Sequence, residues 1–229
     1  MSDSAGSMKE DVDQVIDLIA SRRATGNRTI VGIAGPPASG KSTLAEAVVQ
    51  ALNAEDNSSV PTAVLLPMDG FHLDNRILES RGLLPRKGAP ETFNADGFCK
   101  TVLNLQTTDE EFFLPKFDRQ MDLAIANAIA IHPETSVVVV EGNYLLLKSQ
   151  PWASLHSVFA ATVFVCPTLD ALKDRLRQRW LTHGLDADAA EARATCNDLI
   201  NAETVIENSV KADLHLSQNY TEFGLRYAF

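Results

Sequence analysis

Cysteine, positive charge and long apolar runs are all scarce in this chain, and each shortage excludes a class of protein. Of 229 residues only three are cysteines, Cys99, Cys166 and Cys196. An odd, widely spaced set without CxxC pairs speaks against a disulfide framework and predicts reduced thiols packed as small hydrophobes. The five histidines, His72, His132, His156, His183 and His215, lack metal-ligand spacing, so no zinc site is expected. Lys and Arg number 20 against 30 Asp and Glu, a formal net charge of −10. Nucleic acid and anionic membranes are held by clustered positive charge, so neither is expected as a partner, and any anionic ligand must meet a local basic pocket. No apolar run approaches the ~18 residues that span a bilayer. The polar start Met1-Ser2-Asp3-Ser4-Ala5-Gly6 has no apolar signal core, so a soluble cytoplasmic protein without membrane insertion is predicted. A guanine-reading Asn-Lys-x-Asp segment is missing, and Gly32-Ile33-Ala34-Gly35 does not complete GxGxxG. A conventional GTPase and a dinucleotide oxidoreductase both lose support.

What the chain does contain is organised around Gly35-Pro36-Pro37-Ala38-Ser39-Gly40-Lys41-Ser42, of the form GxxxxGK[ST]. The apolar stretch Ile30–Ala34 precedes it, and Leu44, Val48 and Leu52 follow at helical spacing, so the motif has the strand–loop–helix context of a phosphate grip. Gly35 and Gly40 are expected to supply backbone angles closed to other residues. Pro36 and Pro37 have no N–H to donate. The anion's donors should therefore be the amides of Ala38, Ser39, Gly40, Lys41, Ser42 and Thr43, with the Lys41 ammonium on the β/γ-phosphates and the Ser42 hydroxyl on Mg²⁺. Lys41 is expected at the surface of the cradle, outside the core.

With 45% hydrophobic residues, a chain of this length suits one domain, 1–229. Val12, Val15, Ile16 and Ile19 predict an amphipathic helix over about 8–24, ended by Gly26-Asn27. After a polar turn at Asp56-Asn57-Ser58-Ser59, Thr62–Leu66 reads as a buried strand that delivers Asp69 and His72 at its carboxyl end. Residues 81–96 hold too many glycines and prolines for a long element, and loops of that length are usually functional. A helix around Phe98 to Leu103, a short strand Phe112–Leu114 and a loop Pro115–Arg119 follow. Ser136–Val140 is the strongest strand signal and ends in Glu141; Phe159–Val165 is the next strand. A helix then runs to about Trp180 with Leu169, Leu172, Leu176 and Trp180 on its apolar face, Gly184 breaks it, an alanine-rich helix starts near Asp186, and Ala212–Leu216 closes the domain as a last short strand. Alternating strands and helices predict a three-layer α/β fold: a mainly parallel sheet, helices on both faces, and a small helical lid over about 175–195.

Three features narrow the chemistry. Asp69 is placed to accept a proton from a hydroxyl in line with the γ-phosphate, although Asp-Gly is also ordinary turn chemistry. Glu141, at the end of a buried strand, suits a Mg²⁺-bound water opposite Ser42, although such an acid can also cap a helix. Arg175, Arg177 and Arg179 lie on a basic helix, Arg175 and Arg179 flanking its apolar face on one side and Arg177 on the other, and it is either a lid over the transferring phosphoryl group or a solvated surface.

Together GPPASGKST, MDGFHLDN, RGLLPRKGAPETFNADGF, FDRQMDLAIANAI and VVVVEGNYLLL followed by PW resemble the phosphoribulokinase, uridine kinase and bacterial pantothenate kinase superfamily, from about Thr29 to Asp213. The RKGxPE pattern looks most like pantothenate kinase, and EGNYLLL with PW looks like the bacterial branch labelled fructose transport-system kinases. The resemblance implies an ATP- and Mg²⁺-dependent phosphotransferase acting on a small-molecule hydroxyl, with a fructose-like sugar favoured and pantothenate or a nucleoside as alternatives. It implies Lys41, Ser42 and Thr43 on ATP and Mg²⁺, Asp69 as base, Glu141 near the metal and Arg175 with Arg179 as lid arginines. His72, Arg86, Lys87, Phe117, Asp118 and Arg119 would line the acceptor side. The segment differs from the aromatic-rich acceptor stretch of uridine kinases, and the longer substrate-binding portion of pantothenate kinase is missing. Rival readings are a hydrolysing nucleotide switch and an enzyme of nucleoside monophosphates, which should show more arginines for the second phosphate. Assembly as a homodimer is left open.

Overall fold

The computed structural model describes residues 7–23, 28–54 and 60–217. The expected polar start at 1–6 and the turns at Gly26-Asn27 and Asp56–Ser59 lie outside them. Helix α1 (Met8–Arg22) opens on a capping box, in which the Ser7 hydroxyl accepts from the Glu10 amide and the Glu10 carboxylate accepts from the Ser7 amide, so two otherwise orphaned donors are satisfied. Its stripe of Val12, Val15 and Ile19 is buried. Strand β1 (Thr29–Ala34) leads through the glycine-rich loop into α2 (Lys41–Asn53). Then come β2 (Ala63–Pro67), a 3-10 turn at Met68–Phe71, α3 (Asn75–Ser80), two further 3-10 turns and α4 (Ala95–Asn104). A hairpin of β3 (Phe112–Asp118) and β4 (Leu123–Ile131) precedes β5 (Val137–Gly142) and β6 (Ala161–Val165). The described residues continue through α5 (Leu169–Thr182), α6 (Ala187–Arg193), a π-helical turn at Ala194–Leu199, α7 (Ile200–Asn208) and β7 (Leu214–Leu216).

The main sheet has the order β2-β5-β1-β6-β7, and every neighbouring pair is parallel. Strands covered on both faces read as unbroken apolar runs, as Val137–Val140 does. Side chains alternate across the sheet: Val31, Ile33, Val137, Val139 and Val163 pack with α1 and α2, while Ile30, Val64, Leu66, Val138 and Val140 pack with Phe98 of α4 and Trp152. This is the expected three-layer α/β arrangement. Since β2, β5 and β1 adjoin, their carboxyl ends deliver Asp69, Glu141 and the glycine-rich loop to one edge.

Two elements differ from expectation. Pro115–Asp118, expected as loop, continues β3, with a register shift between Leu114 and Lys116. Its partner β4 was not foreseen, because Leu-Ala-Ile-Ala-Asn-Ala-Ile-Ala-Ile is flanked by no turn residue stronger than Asp122 and most of it is exposed. A hairpin outside the main sheet leaves no buried-strand signature. The alanine-rich helix begins at its Asp186 N-cap as expected but is interrupted by the π-turn. Gly184, at φ 87°, does end the helix before it.

Candidate active site

The loop between β1 and α2 is shaped by two glycines with different tasks. Gly40, the α2 N-cap, sits at φ 96°, a left-handed conformation that only glycine enters freely. Gly35 is needed for room instead of for its angles: a Cβ there would collide with the Val165 carbonyl oxygen. Ala38 is also left-handed, at φ 61°, a strain that ordinarily persists only where surrounding structure imposes it. The amide of Ser39 donates to the Pro36 carbonyl oxygen at 3.2 Å, so the loop itself uses one of the six amides expected to face an anion. Ser42 and Thr43 lie in the first turn of α2, where amides have no intrahelical acceptor and the dipole favours negative charge.

Lys41 is only 9% exposed, so its expected place at the surface is corrected: the ammonium lies at the floor of the cradle. Burial lowers its pKa, opposed by Glu141 and Asp69. Glu141, 4% exposed, accepts a hydrogen bond from the Ser42 hydroxyl at 3.1 Å. Burial raises its pKa, Lys41 opposes that, and Asp69 adds to it. Beside them stands Asp69, on the 3-10 turn after β2, whose carboxylate accepts from Arg119 Nη2 at 2.7 Å. Burial alone would raise Asp69, but Arg119 first, then His72, Lys41 and Arg179, reverse the sign and hold it below the ordinary carboxylate range. At Glu141 burial thus outweighs the cations Lys41 and Arg119, while at Asp69 the cations outweigh burial.

His72 Nδ1 lies 2.8 Å from the Asp69 carbonyl oxygen. A carbonyl can only accept, so Nδ1 carries a proton, and burial lowers the ring's pKa against the opposing pull of Asp69. The ring packs at 4.0 Å on Phe93 and 4.8 Å on Phe117, and Lys87 Nζ stands 5.1 Å above Phe117. Lys87 also pairs with Asp122 at 2.7 Å, and Arg86 with Glu91 at 3.5 Å. Asp118 is turned into the hairpin, accepting from the Gln120 and Met121 amides at 2.9 Å each. Its neighbour Arg119 is the residue that reaches the site.

From α5, Arg175 Nη1 donates to the Ser39 carbonyl oxygen at 3.2 Å, and Leu176 packs with Ala38 of the loop. Arg179 stands 5.7 Å from the Trp180 ring and acts on the charges of Lys41 and Asp69. Arg177 instead pairs with Glu191 at 3.5 Å, on the outer side of the helix. Sequence reasoning missed Tyr144, whose hydroxyl donates to the Gly88 carbonyl oxygen, and Asn197, which grips Arg86 and Lys87. Tyr144 stands three residues after Glu141, which was a usable signal. Asn197 in an alanine-rich helix gave none.

A parallel sheet whose switch-point edge carries a glycine-rich loop, a buried lysine and a hydroxyl–carboxylate pair defines a nucleotide-phosphate-binding α/β protein of the P-loop type. No family-wide sequence profile matches the chain. It is 37% identical over 203 residues to the uncharacterized protein YggC of Escherichia coli, covering 88% of this chain and 81% of that protein. It is 34% identical over 201 residues to a Schizosaccharomyces pombe protein named as a candidate uridine kinase, covering 83% of each. The crystal structure of a candidate fructose transport system kinase from Silicibacter sp. TM1040 superposes with a TM-score of 0.82 at 43% identity, covering 89% of this chain and 98% of that one. The chain belongs to the uridine kinase-like superfamily of P-loop kinases. Kinases of this kind use ATP, and more distant matches are named ATP-dependent kinases. No helix among the described residues is long and apolar enough to cross a membrane.

Proposed function

We propose that the chain transfers the γ-phosphoryl group of ATP to a hydroxyl of a small uncharged metabolite, a fructose-like sugar. The observation that carries this reading is Asp69: a carboxylate kept ionised by Arg119, beside the Lys41 cradle and His72. The acceptor oxygen attacks the γ-phosphorus, the bond to the β,γ-bridging oxygen breaks with its electron pair leaving on ADP, and the hydroxyl proton passes to Asp69. A carboxylate this acidic is a weak base, so Asp69 chiefly aligns the hydroxyl and takes its proton late. Arg175 and Arg179 supply positive charge on the helix above the loop, where charge spreads over the equatorial oxygens.

Mg²⁺ fits beside Ser42 and Glu141, because a buried carboxylate facing a hydroxyl, whose burial Lys41 and Arg119 do not offset, is stabilised by a further cation. Among the described residues no group of three or more His, Cys, Asp or Glu side chains could hold a metal alone, so the nucleotide's own oxygens would complete the shell. When bound, the ion neutralises charge on the β- and γ-phosphates.

The cations on the acceptor side support an uncharged acceptor. Lys87 is matched by Asp122, Arg86 by Glu91 and Arg119 by Asp69, which leaves less attraction for a carboxylate such as that of pantothenate. A nucleoside is the second reading, favoured by the aromatic wall of His72, Phe93 and Phe117, on which a base can stack. The test is ADP release over a panel of sugars, nucleosides and pantothenate with an acceptor-free control. Release stimulated by sugars supports the proposal, and release indifferent to every acceptor favours a hydrolytic switch.

A further inference from the structure

Asn197, Asp198 and Asn201 are 3%, 7% and 1% exposed, and phosphoryl transfer gives these buried polar groups no task. Neighbouring residues of an α-helix point about 100° apart. The π-turn Ala194–Leu199 breaks that rotation and buries both Asn197 and Asp198; such turns are rare and gather at functional sites. Asp198 accepts the Trp180 indole N–H at 2.7 Å and an N–H of Asn197 at 3.2 Å, which ties the π-turn to α5, the helix of Arg175 and Arg179. Asn197 also reaches the other way. Its Nδ2 donates to the Lys87 carbonyl oxygen at 3.1 Å, and its Oδ1 accepts from Arg86 Nη1 at 2.9 Å. Arg193 donates to the same Lys87 carbonyl at 3.3 Å and to that of Pro85. Beyond the backbone, Lys87 Nζ bonds Asn75 and Asp122 at 2.7 Å each, and Asp122 is three residues from Arg119 on the same hairpin.

We propose that Asn197 is a positioning residue for the acceptor side. It fixes segment 84–88 to the α5 layer, so one set of helices places both the arginines over the phosphate loop and the Lys87–Asp122 pair beside the hairpin tip. The inference rests on the kinase reading and adds to it a physical link between acceptor recognition and the arginine helix. With the link intact, the acceptor wall and the phosphoryl-stabilising charges are assembled together, which holds the acceptor hydroxyl in line.

The test uses the full chain with Asn197→Ala, which removes its bonds to the Lys87 carbonyl and Arg86 together with that to Asp198, and Arg193→Ala, which removes the second donor to the Lys87 carbonyl and the bond to Pro85 from a partly exposed position and serves if the first variant does not fold. Amide hydrogen exchange over residues 84–92 should accelerate about tenfold in Asn197→Ala and less in Arg193→Ala, the scale of one lost hydrogen bond in each local opening, with β1 and β5 amides unchanged. With the best acceptor from the panel, its KM should rise about tenfold while that of ATP stays within about twofold. Exchange needs no acceptor, so a failed panel would sink the sugar-kinase reading and leave this measurement standing. Unchanged exchange over 84–92 in both variants, or equal rises in both KM values, would overturn the positioning role.

Discussion

Replacing Arg119 by glutamine should move the acid limb of the kcat–pH profile to higher pH. Arg119 Nη2 lies 2.7 Å from Asp69 Oδ2, with side chains 55% and 24% exposed. Burial pushes Asp69 upward, and Arg119 is the largest of the cations that reverse it. Unit charges about 4 Å apart attract by about 4 kcal/mol at an effective dielectric of 20 and about 1 kcal/mol in bulk water. A guanidinium more than half exposed belongs near the lower end, because solvent screens it. About 1.4 kcal/mol is one pKa unit, so losing the pair should raise Asp69 by roughly one unit. The sign follows from linkage. Asp69 is more acidic folded than unfolded, so its stabilising charge is complete above the ordinary carboxylate range and is lost as pH falls through the folded value. Weakening the pair brings that loss to higher pH. The assay is kcat at saturating ATP and acceptor from about pH 2 to 7, a window that reaches below the ordinary carboxylate range, where Asp69 titrates, with glutamine chosen to keep a polar donor and remove the charge. An acid limb in the same place for both proteins would refute the claim that Asp69 governs it through Arg119.

Asp69→Asn keeps size and removes the proton acceptor, so kcat should fall about 10²-fold or more while directly measured ATP affinity stays near the native value; a drop of only about tenfold would assign Asp69 to orientation, and full activity would remove it from the reaction. Glu141→Gln keeps shape and removes charge, so half-maximal activity should need more Mg²⁺, and overlapping Mg²⁺ titrations would return Glu141 to a structural role. Lys41→Ala should cut turnover by about 10²–10³-fold, the scale of losing one preorganised charge contact at the transferring group. Thermal unfolding measured beside it should show a fold still intact, and an unchanged rate would take the loop out of the mechanism.

The parallel strands were legible because burial on both faces leaves unbroken apolar runs, and Val137–Val140 announces an interior strand without structural help. The phosphate loop was legible because its glycines and lysine are required in order along the chain, although the reason for Gly35 proved to be the approach of the Val165 carbonyl. The β3–β4 hairpin was not, since its exposed strands carry no burial pattern and Pro115 suggested a loop. Asp69 and Glu141 could be named from their places at or just beyond strand ends, and Arg175 from the basic helix that carries it, but not which partner each would meet. Arg119 finding Asp69 across 50 residues and Asn197 finding Lys87 across 110 are tertiary facts with no local periodicity to betray them. Asp118 illustrates the converse: an acid beside the site in sequence, spent on holding a turn.

The central claim is that the γ-phosphoryl group goes to a hydroxyl and not to water. It is tested most directly by following γ-labelled ATP with the preferred acceptor and counting label in phosphorylated product against ADP formed. The account predicts one labelled product per ADP, with transfer lost in Lys41→Ala; label recovered as inorganic phosphate at the same rate with or without acceptor would contradict it.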